Sequence, residues 1–385
     1  MNSQVSRYHV PTKVIYGMGA ITQIVDVASS MNINSFLVVT DPGIEAAGLL
    51  ENMTEQLKKS GISCHVFSDV EANPSVATVD KGLKVLQECN CDGILAVGGG
   101  SPLDVGKAIG TLATNGGSIS DYEGVDKVSK DSLPMIAVPT TAGTASEITI
   151  NIVINDPSRN YKLTVVSQRC AAKVAILDPK LTLTLPTSLT ASTGLDALVH
   201  AIESYTSLMS FPVSEALALK AISLISTNLR QAVYNGSNLE ARNNMLMGSY
   251  LAGLAFNNTR LGNCHAMSHP LSAFFNTPHG VANAILIPHI MEFNVMAVPD
   301  RFAVIAEHMG EDISGNTLWQ AASKAVSSVR QLNEDVAIPQ NLDMVGAKRE
   351  YINTMAKDAM KSGNILVNPR KTRIEDIIAL YEKAF

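Results

Sequence analysis

The chain reads as a two-part protein: a Rossmann-like α/β parallel-sheet domain over residues 1–187, followed by an all-α half over residues 188–385. Three observations predict this. Up to about residue 187, short apolar runs alternate with longer helical patterns, as parallel strands joined by crossover helices require. A glycine triplet, Gly98-Gly99-Gly100, sits between one apolar run and a helical pattern. After Leu185-Pro186-Thr187 strand patterns cease and helical periodicity takes over. A length of 385 residues also suits two domains with sizeable cores.

Taken in order, Ser35–Thr40 reads as a strand, Gly43–Ser60 as a helix, Ser63–Ser68 as a strand and Val76–Glu88 as a helix. Gly93–Val97 is a strand running into the triplet, a helix follows from about Ser101 to Leu112, and Pro134–Val138 is the next strand. Thr149–Ile154 and Tyr161–Val166 favour strands, expected as hairpins at the edge of the sheet. Leu189–Tyr205, Ser214–Val233, Leu239–Phe256, Cys264–Phe275 and Asp300–Met309 read as helices, the first opened by Pro186 with Thr187 or Ser188 as N-cap. Thr12–Tyr16 is suited to an edge strand for a partner chain.

A net charge of −6 without a Lys/Arg cluster argues against nucleic-acid binding, which needs concentrated positive charge. No apolar run reaches the ~18 residues of a membrane span, and the N-terminus lacks a signal-peptide core, so a cytoplasmic protein is expected. The five scattered cysteines read as reduced thiols. Cys264, beside His265, is the one whose oxidation would touch the histidine-rich segment.

Neither Gly17-Met-Gly19 nor the Gly98 triplet completes the dinucleotide fingerprint, whose third small residue is replaced by Thr22 or Leu103. The triplet still has the right physics. Glycines at the end of a buried strand let the backbone approach a pyrophosphate, and the helix behind it presents free N–H groups. Ser101 is expected to cap that helix, with Pro102 at its first position. Asp41, just beyond the strand ending at Thr40, can accept both ribose hydroxyls of an adenosine and would repel a 2′-phosphate, favouring NAD over NADP. Pro139–Glu147 supplies hydroxyls and free amides for a second phosphate or nicotinamide contact.

Four of the eight histidines fall into one constellation with an aspartate. Asp196 and His200 share a helix face at i and i+4, His265 and His269 repeat the spacing, and His279 follows. Three imidazoles and a carboxylate suit Fe(II) or Zn(II) better than Mg or Ca. The ligand set leaves the choice between those two metals open.

Five ordered motifs then carry a resemblance over essentially the whole chain. They are Gly98–Asp104, Pro139–Glu147, Thr193–Glu203, Leu261–His269 and Asn276–Asn283. Together they resemble the iron-containing, group III NAD-dependent alcohol dehydrogenases, and their wording is closest to the branch holding lactaldehyde:propanediol oxidoreductase and 1,3-propanediol dehydrogenase. The resemblance implies the dehydroquinate synthase-like fold of that family, with an NAD-binding domain and a helical metal-binding catalytic domain. By motif position it implies Asp196, His200, His265 and His279 as ligands of Fe(II), with Zn(II) as the other candidate. It carries NAD contacts to Asp41, Gly98, Gly99, Gly100, Ser101, Asp104, Thr140, Thr141, Thr144, Thr149, Lys162 and Leu181, and a substrate pocket to Asn151, Phe256 and Leu261. Two departures stand out: Ala145 replaces a common glycine, and Leu271-Ser272 replaces Leu-Gly.

The implied chemistry is hydride transfer between NAD(H) and a small neutral alcohol or aldehyde. Four protein ligands leave room on the ion for a substrate oxygen. His269, one turn beyond His265, and Asn151 are the expected catalytic side chains, His269 near the nicotinamide or in proton relay. Only Lys220, Arg230, Arg242 and Arg260 lie between Ser188 and His289, which weighs against a phosphorylated substrate of the dehydroquinate synthase type. A zinc glycerol dehydrogenase uses fewer histidine ligands, so three histidines favour the iron branch. By analogy with the family, a homodimer or larger assembly is expected.

Overall fold

The computed structural model describes residues 5–159 and 161–385. The chain divides into two compact units. One comprises Val10–Thr141 and Ala145–Leu185; the other comprises Pro186–Phe385, joined by Ala142–Thr144 and the described residues up to His9. Beside the expected parts, 1–187 and 188–385, the differences are these two short excursions and a boundary two residues earlier.

The α/β unit is built on strands β1 (Lys13–Tyr16), β2 (Ser35–Val39), β3 (Ser63–Phe67), β4 (Gly93–Gly98), β6 (Met135–Pro139) and β9 (Val174–Leu177). They pair in the order β1-β9-β6-β4-β2-β3, all parallel. These strands read as unbroken apolar runs because both faces are covered. Leu37, Val39, Ile94 and Ala96 enter one core, while the alternate residues Phe36, Val38, Leu95 and Val97 enter the other. Helices α1 (Ile24–Ser30), α2 (Pro42–Ala46), α3 (Glu51–Lys59), α4 (Val76–Glu88) and α5 (Gly100–Asn115) complete the layers. The helix expected over 43–60 is broken in two, and Gly48, at φ +69°, lies in the break.

Strands β7 (Asn151–Asp156) and β8 (Tyr161–Val166) form the expected antiparallel hairpin, but not at the edge of the main sheet. With β5 (Gly124–Val125) they make a separate three-stranded sheet in the order β5-β8-β7. Lys107 ties this sheet to α5. Its buried ammonium donates to the carbonyls of Ser146 and Asn151 and pairs with Asp104 at 2.9 Å.

The helical unit holds α6 (Thr187–Thr206), α7 (Pro212–Tyr234), α8 (Leu239–Thr259), α9 (Asn263–Phe275), α10 (His279–Val295), α11 (Pro299–His308), α12 (Leu318–Asp335), α13 (Ile352–Ala359) and α14 (Ile374–Ala384). The sequence patterns foresaw α6, α7, α8, α9 and α11 but not α10, α12, α13 or α14. Pro186 itself is the N-cap of α6, without a side-chain cap, and Thr187 already lies inside the helix. From Thr190 onward α6 is buried on nearly every side, packed by α7, α8 and α10. A helix buried all round is the centre of its unit. Polar groups on it must find partners or a ligand.

Candidate metal centre and nucleotide site

Helix α6 carries Asp196, His200 and Glu203 along one face, at i, i+4 and i+7. Helix α9 brings His265 and His269, and α10 begins at His279 with Asn283 one turn later. Close approach of α10 to α6 depends on Gly280, where a Cβ would stand 2.2 Å from the Ser192 carbonyl oxygen. Ser272 Oγ donates to the Thr277 carbonyl at 2.9 Å and so ties down the turn that leads into His279.

The donor atoms converge. Asp196 Oδ1 lies 3.6 Å from His265 Nε2, 3.8 Å from His279 Nε2 and 3.9 Å from His200 Nε2. One ligand atom each from Asp196, His265 and His279 lie within 4.8 Å of one another. His200 joins them by stacking on His265, with ring centroids 4.6 Å apart. Phe256 stacks on the far side of His200 at 4.4 Å. Asp196, His200 and His265 are buried, whereas the His279 side chain is 28% exposed and marks the open side. His269 faces the same cluster, 5.4 Å from the His279 ring.

The cluster has more lone pairs than protons. Asn283 Nδ2 donates to Asp196 Oδ1 at 2.7 Å and also stands 3.1 Å from His265 Nε2 and 3.2 Å from His279 Nε2. An amide NH2 has two hydrogens for these three acceptors. His265 Nδ1 is 2.6 Å from Glu203 Oε2, the arrangement in which a carboxylate holds the ring proton and leaves Nε2 free to ligate. His200 Nδ1 is buried without a hydrogen bond of good geometry, although the nearby Gly143 backbone favours its charged form.

The same shortage shows in proton affinities. Burial pulls His265 down, but hydrogen bonds to Asp196 and Glu203 outweigh it and raise the group to about 9. Burial pushes Asp196 up, yet His200, His279 and His265 hold it well below the usual carboxylate range. His200 is drawn down by burial to about 4 and is a neutral donor near pH 7. A buried set of one carboxylate and three imidazoles that attracts positive charge fits a divalent cation of the iron or zinc class.

In the α/β unit, Asp41, Gly98–Gly100 and Thr140–Thr141 follow the carboxyl ends of the neighbouring strands β2, β4 and β6. The connections leave β2 toward β3 on one side and return to β4 on the other, which is where nucleotides bind in such sheets. Gly98 is at φ +147°, and a Cβ there would meet Pro102 at 2.7 Å and Asp41 Oδ2 at 3.2 Å. A Cβ on Gly99 would meet Thr141 at 3.3 Å. Thr140 Oγ1 is buried with no partner. A glycine cradle, an orphan hydroxyl and a helix N-terminus without a side-chain cap fit a pyrophosphate.

Several expected contacts have other partners in this structure. Gly99, not Ser101, is the N-cap of α5, and Ser101 Oγ donates to the Ala72 carbonyl at 2.8 Å. Pro102 accordingly lies inside the first turn rather than at its first position. Asp41 Oδ1 caps α2 through Gly43 and Ile44, leaving Oδ2 beside Gly98. Both Asp104 oxygens are engaged, by Ser146 and Lys107 and by the Val153 amide. Thr149 is buried near the Lys107 ammonium, Lys162 donates to Asn73, and Leu181 belongs to the apolar core with Ile21 and Ile176. Asn151 opens β7, with its carbonyl on Lys107; Leu261 lies partly buried just before α9, and Thr144 falls in the short segment grouped with the helical unit. Ala145 adopts φ +52°, the left-handed region that glycine takes more readily. Cys264 is fully buried with its thiol pushed well above the usual range, which makes it unreactive.

Glu203 and Asn283 are the residues whose roles sequence reasoning missed. The spacing of Glu203, seven beyond Asp196, was a usable signal. Asn283, four beyond His279, has no metal chemistry of its own to draw attention.

A parallel-sheet nucleotide fold and a histidine-rich metal centre define a metal-dependent dehydrogenase. The sequence matches the model for iron-containing alcohol dehydrogenase over residues 11–179, and that for the C-terminal part of the Fe-containing alcohol dehydrogenase family over residues 190–385. The chain belongs to the iron-containing alcohol dehydrogenase family. It is 43% identical to 1,3-propanediol dehydrogenase of Klebsiella pneumoniae, covering 100% of both chains. It is 38% identical to lactaldehyde reductase of Escherichia coli (strain K12), over 96% of this chain and 97% of that one. A crystal structure of a 1,3-propanediol oxidoreductase matches with a TM-score of 0.97 at 43% identity, covering 99% of this chain and 100% of the other. The protein is thus an NAD(H)-linked alcohol and aldehyde oxidoreductase whose cofactors are NAD and iron.

Proposed function

We propose that this enzyme interconverts a short primary alcohol or diol with its aldehyde, that residues 188–385 form its metal-binding catalytic domain, and that residues 1–187 bind NAD. Asp196, His200, His265 and His279 would hold the iron. When bound, the ion supplies Lewis acidity toward the alcohol oxygen and the nicotinamide accepts the hydride. The observation that carries this reading is the convergence of one carboxylate and two of the imidazoles, those of His265 and His279, on a single shared amide donor, Asn283 Nδ2.

The chain's own residues do the rest. Phe256, stacked on His200, keeps water from that side of the cluster and lines the pocket together with Leu261. His269 and the partly exposed His279 form the open side, where His269 is suited to pass the alcohol proton to solvent. Asp41, through Oδ2, selects NAD over NADP, and Thr140 Oγ1 donates to the dinucleotide. Asn151 contacts the substrate. The names of the relatives, 1,3-propanediol dehydrogenase and lactaldehyde reductase, support a three-carbon hydroxylated substrate. Scarce Lys and Arg near the ligands support a neutral one.

Anaerobic purification, reconstitution with Fe(II) or Zn(II), and NADH oxidation across short aldehydes test the reading. Turnover of 3-hydroxypropanal or lactaldehyde is expected, and failure with every short aldehyde would overturn it. The same reading has the enzyme working in the cytoplasm as a homodimer or larger assembly. Light scattering tests the assembly state.

A further inference from the structure

We propose that Glu203 is a positioning residue for the metal: it fixes His265 in the Nδ1-protonated form, so that Nε2 presents its lone pair toward Asp196. The inference rests on His265 being a ligand. Both carboxylate oxygens are used on one helix. Glu203 Oε2 accepts the His265 Nδ1–H at 2.6 Å, and Oε1 accepts the Cys264 backbone N–H at 2.6 Å. Gly262, the N-cap of α9, has no side-chain cap of its own, so a carboxylate from α6 supplies one. The fit is close enough that a Cβ on Gly262 would come within 2.9 Å of Glu203 Oε1. One buried anion thereby sets both the helix start and the ring that projects from it.

Ser268 Oγ stands 3.5 Å from His279 Nδ1, and His200 Nδ1 has no well-formed hydrogen bond. When its ring is neutral, His265 is therefore held in the Nδ1–H tautomer. Glu203→Gln keeps the shape but offers one acceptor for two donors. With its oxygen on the Cys264 N–H, its NH2 faces His265 Nδ1 and forces the proton to Nε2, where it blocks the lone pair.

The test is Zn(II) titration of chelator-stripped protein against a competing chelator, without NAD or substrate. Glu203→Gln is expected to bind about 10- to 100-fold more weakly, as loss of such an outer partner typically does. Wild-type affinity in Glu203→Gln with weakened binding in His265→Ala would overturn the positioning role alone. Wild-type affinity in both would overturn the ligand assignment beneath it. If Glu203→Gln does not fold, 15N NMR of the metal-free wild type above about pH 9, where the His265 ring is neutral, decides, with the His265 signal identified by its absence in His265→Ala. An Nδ1–H tautomer is expected, and an Nε2–H tautomer would refute the proposal.

Discussion

Replacing Gly280 by alanine disturbs the metal centre through backbone alone. The added Cβ would lie 2.2 Å from the Ser192 carbonyl oxygen and 2.7 Å from its carbon. Both are main-chain atoms of α6, so no side chain can rotate away. Reaching ordinary contact requires the start of α10 to move by about 1 Å. His279 precedes Gly280 and moves with it, away from an Asp196 oxygen that now lies 3.8 Å from its Nε2. Overpacking of this kind costs about 1–3 kcal/mol, and a 1 Å misplacement of a reacting group costs on the order of 100-fold in rate. Elemental analysis after anaerobic reconstitution, kcat/KM with a short aldehyde, and thermal unfolding measure these effects. Gly280→Ala should fold with a Tm lowered by several degrees, hold less metal, and lose roughly two orders of magnitude in kcat/KM. Full metal content with kcat/KM within a few-fold of wild type would refute the reasoning.

Other perturbations separate the remaining parts. Asp41→Asn keeps an acceptor for the α2 cap but removes the charge beside Gly98, so the NADH/NADPH ratio of kcat/KM should fall; an unchanged ratio removes Asp41 from the adenosine pocket. Thr140→Val deletes a hydroxyl that has no partner in the protein. It should leave Tm unchanged or slightly higher while weakening NADH binding measured by fluorescence, and unaltered binding would exclude the contact. Burial raises Glu147 to about 7, with its own backbone amide and Lys107 partly opposing. An acid whose folded pKa exceeds its unfolded value binds more protons when native, so its contribution is full below the unfolded value of about 4.3 and is lost as pH rises through about 7. Glu147→Gln should therefore raise Tm at pH 8 relative to wild type and narrow that gain at pH 5. An equal shift at both pH values would contradict the argument.

What the sequence disclosed was whatever depended on neighbours in the chain. Phe36–Val39 reads as a doubly covered strand because every residue in it is apolar, and Asp196 with His200 reads as a metal pair because one helical turn sets their geometry. Gly98 illustrates the limit: its φ of +147° turns the chain so that α5 begins at Gly100, which moves Ser101 past the capping position and onto the Ala72 carbonyl. The β7–β8 hairpin was visible, but its partner β5 is two residues long and carries no pattern. Glu203 was hidden for a similar reason. Its spacing from Asp196 is local, whereas its task depends on Cys264, 61 residues away. Ala145 stands where glycine is common, and its positive φ gives that departure its physical content.

The most direct measurement is anomalous diffraction at the iron edge from crystals of the anaerobically reconstituted enzyme. A single strong peak is predicted about 2 Å from an Asp196 oxygen and from the Nε2 atoms of His200, His265 and His279, with one side open to a substrate oxygen. A peak elsewhere in the chain, or one closed off by protein ligands on every side, would contradict the account.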